Sequence, residues 1–227
     1  AHLAKALFPG WACVFYVGDG VSTETIDALE SAGATIRRCT GMFGGRRLQM
    51  MRFLPAGENV DAVIVRDADS RLNPRDAAAV FEWLSSEKKF HAMHEAPHDP
   101  ETGILGGAWG ARSLDGQPQL PDLYAQMRAF AASHATDNYG DDMVFLETYL
   151  RPLCASLCHH SAAAKGGRLV AEAQAVGEAG LPAWGAPARR TILRLPLPLL
   201  PLSDLTIKLF GFMSVTVAVL SLLPADP

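Results

Sequence analysis

The chain has 227 residues, 49% of them hydrophobic and 19% charged, with a formal net charge of −4. This is enough apolar material for one domain with a full core, and the acidic balance argues against nucleic acid as a partner. Four cysteines form no paired CxxC set, and although Cys154 and Cys158 stand one helical turn apart beside His159 and His160, no second pair at zinc-finger spacing supports a zinc site.

The chain opens at Ala1 with no basic segment followed by an apolar run, so no signal peptide is expected. The stretch ACVFYVG predicts a short apolar strand ending in a Gly-Asp-Gly turn. STETIDALESAG predicts a helix capped by Ser22, with Ile26, Leu29 and Ala32 on one face and Gly33 closing it. ATIRRC reads as a second strand, and RRLQMMRFLPAG as a short helix with Leu48, Met51 and Phe53 turned inward. AVIVRD reads as a buried strand. NPRDAAAVFEWLSSEK reads as a helix with Pro74 near its first position and Ala78, Phe81 and Leu84 on one side, and FHAMHE as a further strand. Strands alternating with helices predict an α/β fold with a mainly parallel sheet, whose ligands bind beyond the carboxyl ends of the strands.

The tail differs in character. Residues 161 to 227 hold 6 of the 20 basic and 4 of the 24 acidic residues, a balance of +2 against −6 for residues 1 to 160, and 7 of the 15 prolines. Residues 165–203, rich in Ala, Gly and Pro, read as a linker, and 204–227 as a separate hydrophobic segment after a domain over 1–164. From Leu205 to Leu223 the mean hydropathy is roughly 2, which nominates a transmembrane helix. The run from Leu209 to Leu223 is shorter than the ~20 residues a bilayer needs, so a buried helix or an out-of-place translated segment is the competing expectation.

The chemistry concentrates after the third predicted strand. Asp67 and Asp69 follow Ala62 to Val65, with Arg66 and Arg71 on either side. Two carboxylates one residue apart at a strand end can converge on Mg2+ or Mn2+, which prefer oxygen ligands and share a diphosphate readily with protein. Arg52, Arg66 and Arg71 could meet phosphate or carboxylate groups. An ordinary charged turn is the alternative. In ILGGAWGAR, Gly106 and Gly107 would let backbone approach a ligand and Trp109 would offer a face to a sugar ring, unless the tryptophan simply fills the core. In NYGDDMVFLETYL, Asp141 and Asp142 open a helix, where the dipole alone favours acidic residues.

The segments FPGWACVFYVGDGVSTETIDALESAGATIRRC, MMRFLPAGENVDAVIVRDADSRLNPRDAAAVFEWLSSEKKFHAM, ILGGAWGAR and YGDDMVFLETYLRPL occur in that order. Together they resemble a GT-A-type glycosyltransferase, in particular a nucleotide-sugar-dependent family found in algae and bacteria. The resemblance covers roughly residues 3 to 162. It implies a three-layer α/β/α, Rossmann-like domain in which Asp67-Ala68-Asp69 is the Asp-x-Asp motif. Asp69 would bind Mn2+ or Mg2+, and Asp67 would contact the metal or the donor's ribose. Arg52 would lie near the donor phosphates or sugar, and Gly106, Gly107 and Trp109 would line the donor-sugar and acceptor pocket. Asp142 would orient the acceptor hydroxyl or act as base, with Asp141 in reserve, and His159 in LCHHSA would return to the metal. The implied partners are a nucleoside-diphosphate sugar and a hydroxyl acceptor.

The chain departs from that family in several places. Met143 stands where the family has glutamine after the acidic pair, and His94-Glu95 where it has Arg-Asp. The resemblance starts at the family's first helix, without the strand and loop that precede it and help bind nucleotide, and it stops at Ala164. A non-catalytic remnant of the fold is therefore one rival. A haloacid-dehalogenase-type phosphatase is another, although that fold carries its Asp-x-Asp on the first strand.

Overall fold

Local sequence explains most of the elements. The structure, a computed structural model, describes residues 1–39, 43, 45–94, 103–116, 118, 120–134, 137–161 and 215–222. Helix α1 spans His2–Leu7 and strand β1 Ala12–Val17. Helix α2, Thr23–Ser31, is capped by Ser22, whose hydroxyl accepts from the Thr25 amide at 3.3 Å, and it buries Ile26. Strand β2 is Thr35–Arg38. The short helix expected around Leu48 is a 13-residue 3-10 segment, Gly45–Gly57, containing Pro55. Leu48, Met51 and Phe53 are buried there as expected, together with Met50.

Strand β3, Ala62–Arg66, is buried throughout. Helix α3, Pro74–Leu84, begins with a full capping box: Asn73 Oδ1 accepts from the amides of Arg75 and Asp76, and Asp76 Oδ2 accepts from the Asn73 amide at 3.0 Å. Its buried face is Ala77, Val80, Trp83 and Leu84, one position off the stripe expected from Ala78 and Phe81, because the indole of Trp83 turns inward and donates to the Lys88 carbonyl at 2.9 Å. Strand β4 is Phe90–His94 and β5 is Ala108–Arg112. Helices α4, Leu123–Ser133, and α5, Asp141–Phe145, follow. A π-wound turn, Leu146–Leu150, and a 3-10 turn, Arg151–Ser156, lead to β6, Leu157–Ser161; the last strand is β7, Val215–Leu222.

The described strands form one seven-stranded sheet in the order β2-β1-β7-β3-β5-β4-β6. The fold is mixed α/β, and the expectation of a mainly parallel sheet is corrected. Only β1·β2 and β4·β6 pair parallel, while β5 and β7 run against both of their neighbours. The reason lies in the order across the sheet: β5 lies between β3 and β4, and β7 enters between β1 and β3 from the far end of the chain. Successive side chains of β1 serve two cores. Cys13, Phe15 and Val17 join α1, α2 and α3, while Val14 and Tyr16 join the 3-10 segment, α4 and α5.

Within the apolar segment from Leu205 to Leu223, Val215–Leu222 is a strand hydrogen-bonded on both edges, not part of a helix. The rest of that segment and the linker 165–203 lie outside the described residues. Among the described residues, no helix is long and apolar enough to cross a membrane.

Candidate functional site

The Asp67–Asp69 triplet lies at the carboxyl end of a central strand. β3 ends at Arg66, and the next residues form a turn closed by the Ser70 amide donating to the Asp67 carbonyl at 3.0 Å. Both ends of this loop are tied down. On the strand side, Arg66 is 5% exposed and its Nε lies 3.5 Å from Asp76 Oδ1, so the acid that caps α3 also anchors the strand end. Arg66 Nη1 donates to the carbonyls of Val65 at 2.8 Å and Trp109 at 3.4 Å. Burial pushes the Arg66 guanidinium below its ordinary value, and the carboxylate of Asp76 opposes that shift. Arg66 is thus turned into the protein as a structural tie, which corrects its assignment as a donor-binding residue.

The centre of the cluster is Arg52. The 3-10 segment delivers this side chain, 3% exposed, between two carboxylates that are remote from each other in sequence. Its Nη1 donates to Asp67 Oδ1 at 2.5 Å, and its Nη2 makes a short hydrogen bond to Asp142 Oδ2. The two acids differ in setting: the Asp67 side chain is 46% exposed and that of Asp142 11%. Among the described residues the buried Nε of Arg52 has no hydrogen-bond partner.

Gly106 and Gly107 roof this triad. A Cβ on Gly106 would strike both Asp142 Oδ2 and Arg52 Nη2, and one on Gly107 would strike the carboxylate of Asp67. Only glycine lets the backbone come this close to the charged groups. The loop is pinned from beneath by Glu147, whose Oε1 accepts from the Ile104 amide at 2.8 Å and crowds Gly103, at φ +95°. Asp142 and Glu147 are five positions apart, and the π-wound turn after α5 brings such positions toward one side of the helix. No sequence signal pointed to Glu147, because its partner is 43 residues away.

The remaining candidates are distributed differently. Asp141, 7% exposed, accepts from the Asn138 amide at 3.1 Å and lies 3.5 Å from Arg47 Nε, so it ties the loop before α5. Trp109 is fully buried, edge-on to Phe53 with ring centroids 5.4 Å apart. Its place in the core corrects the reading of it as a sugar platform: on β5 its side chain points to the core face, away from the glycine turn. Asp69 is exposed at the loop surface. His159 lies on β6 opposite Ala92, and β5 and β4 separate β6 from β3, about 14 Å of sheet.

The donor chemistry fits a hard divalent cation. Asp67 and Asp142 against Arg52 leave a formal single negative charge, with the exposed Asp69 two positions after Asp67 on the same turn. No group of three or more His, Cys, Asp or Glu side chains that could hold a metal occurs among the described residues. A cation of the magnesium class does not need one, since it is commonly held by one or two carboxylates, with water and substrate phosphate filling the other positions. Comparison of the chain with protein-family models, curated proteins and solved structures finds no match.

Proposed function

We propose that this chain is a GT-A-like glycosyltransferase domain that transfers a sugar from a nucleoside-diphosphate donor to an acceptor hydroxyl with the help of Mn2+ or Mg2+. The observation that carries the reading is the meeting of Asp67 and Asp142 on Arg52 beneath the Gly106-Gly107 backbone, at the end of a buried strand. The sequence resemblance supports it by assigning the same residues to donor and acceptor.

In this reading Asp67 and Asp69 hold the cation at the loop. When bound, the cation offsets the charge that builds on the leaving diphosphate. The glycine backbone lets Asp67, Asp142 and Arg52 pack directly against it at the strand end. Asp142, held in place by Arg52 and by the helix it opens, orients the acceptor hydroxyl or receives its proton. Its burial keeps water away from that step.

A second reading, a non-catalytic relative of the fold, is favoured by one feature: Arg52 already occupies the space between the two carboxylates. Isothermal titration of UDP and GDP, with and without manganese, separates the two. The transferase reading expects nucleotide binding that requires manganese and disappears in Asp69→Ala, an exposed position whose loss leaves the fold intact. Absence of any nucleotide binding in the folded chain would leave the non-catalytic reading. Magnesium-dependent release of phosphate from a phosphomonoester, sensitive to Asp67→Asn, would point instead to the phosphatase rival.

A further inference from the structure

Arg52 is a permanent cation, 97% withdrawn from solvent, whose terminal nitrogens are both committed to carboxylates and whose Nε is left without a partner among the described residues. A guanidinium so placed does part of what a divalent ion would do: it bridges two acids that would otherwise repel each other and offsets one of their two charges. The geometry points to Arg52 as an internal counter-ion that stands in for the divalent cation and sets its affinity by competing for Asp67. This inference rests on the reading of Asp67 and Asp69 as cation ligands.

The competition has a structural basis. Asp67 can give an oxygen to an incoming cation only by loosening its 2.5 Å contact with Arg52, and the Arg52 charge repels the ion throughout. Asp142, 11% exposed, then remains the partner that keeps Arg52 from being stranded in the interior. The glycine roof blocks the guanidinium from rising, because Nη2 already lies against Gly106. Loading the site therefore leaves Asp142 as the one charged partner of Arg52, and the acceptor-side carboxylate stays fixed by that pair when the cation is present.

The test is manganese binding by calorimetry on the full chain, alongside thermal unfolding with and without manganese. Arg52→Met removes the charge and keeps the side-chain stem. It is expected to bind manganese at least about tenfold more tightly than wild type. It should melt lower than wild type without manganese and recover more on its addition. Arg52→Lys, which keeps the charge but can span only one carboxylate, should fall between the two, and it answers the question if Arg52→Met does not fold. If wild type binds manganese and both variants bind no more tightly, the counter-ion role is overturned while the cation reading stands. If neither wild type nor variant binds manganese, the cation reading fails and the counter-ion role goes with it.

Discussion

Arg52 and Asp142, 90 positions apart in the chain, share one ion pair from which solvent is nearly excluded: their side chains are 4% and 11% exposed. Pairs of this kind contribute little when compared with a well-packed apolar substitute, but removing one partner strands the other charge at a cost of about 3–5 kcal/mol. Here Asp67 stays behind to hold Arg52, which reduces that penalty. Asp142→Asn should therefore destabilise the chain by about 2 kcal/mol, read from urea unfolding, and should abolish sugar transfer and weaken manganese binding, because Arg52 can then release Asp67 only by being left without a charged partner. A variant with full stability would mean that Arg52 and Asp142 are not paired in solution.

The glycine roof separates two roles that look alike in the sequence. A methyl group on Gly106 meets the ends of two flexible side chains, Asp142 and Arg52. Those chains can move, so Gly106→Ala should cost about 1–3 kcal/mol, with manganese-dependent nucleotide binding lost. A methyl on Gly110 instead meets the Val63 carbonyl at 2.7 Å, backbone of β3 that cannot yield without breaking the ladder. Gly110→Ala should cost about 3 kcal/mol or more, yet the fraction that folds should bind as wild type does. Measuring stability and binding on both variants checks the distinction.

What the sequence revealed was what is local. The strand AVIVR, the helix opened by Pro74 and the Ser22 cap each depend on residues within a few positions, and each is found where the pattern placed it. The position of Asp67 and Asp69 just beyond a buried strand was legible for the same reason. The direction of β5 and β7 was not, because alternation of strand and helix describes the order along the chain and not the order across the sheet. The role of Arg66 was misread because an arginine beside a carboxylate looks the same whether it faces solvent or folds back on Asp76. The bridge made by Arg52 and the support from Glu147 join segments 90 and 43 residues apart, and no periodicity reports on such contacts.

The buried thiol of Cys39 gives the fold a pH dependence on the alkaline side. Burial pushes this thiol from its ordinary 9.0 up to about 11, with Asp19 adding to the rise and a hydrogen bond from the Val17 backbone opposing it. The unfolded chain would lose this proton near pH 9 while the folded chain keeps it. The stabilisation is therefore fully present below pH 9 and is lost as the pH rises from about 9 to about 11. Cys39→Ala should flatten that part of the stability profile, measured by urea unfolding at pH 8, 9.5 and 11. An unchanged slope would show that another group titrates there.

The most consequential placement is that of β7. Val219 pairs with Val14 of β1 on one side and with Val65 of β3 on the other, so the strand joins the two parts of the sheet and leaves neither β1 nor β3 with an open edge. Proline in such a position removes a ladder donor and its ring does not fit between two paired neighbours. Val219→Pro should lower the midpoint of thermal unfolding sharply and expose the edges of β1 and β3, seen as aggregation by light scattering. It should also weaken nucleotide binding, because β3 carries Asp67 and Asp69 at its end. The transmembrane-helix expectation for residues 205–223 makes the opposite forecast: a proline there would perturb association with lipid vesicles and leave unfolding of the domain untouched. Thermal unfolding of Val219→Pro in the absence of lipid therefore decides between them, and a wild-type midpoint would remove β7 from the sheet.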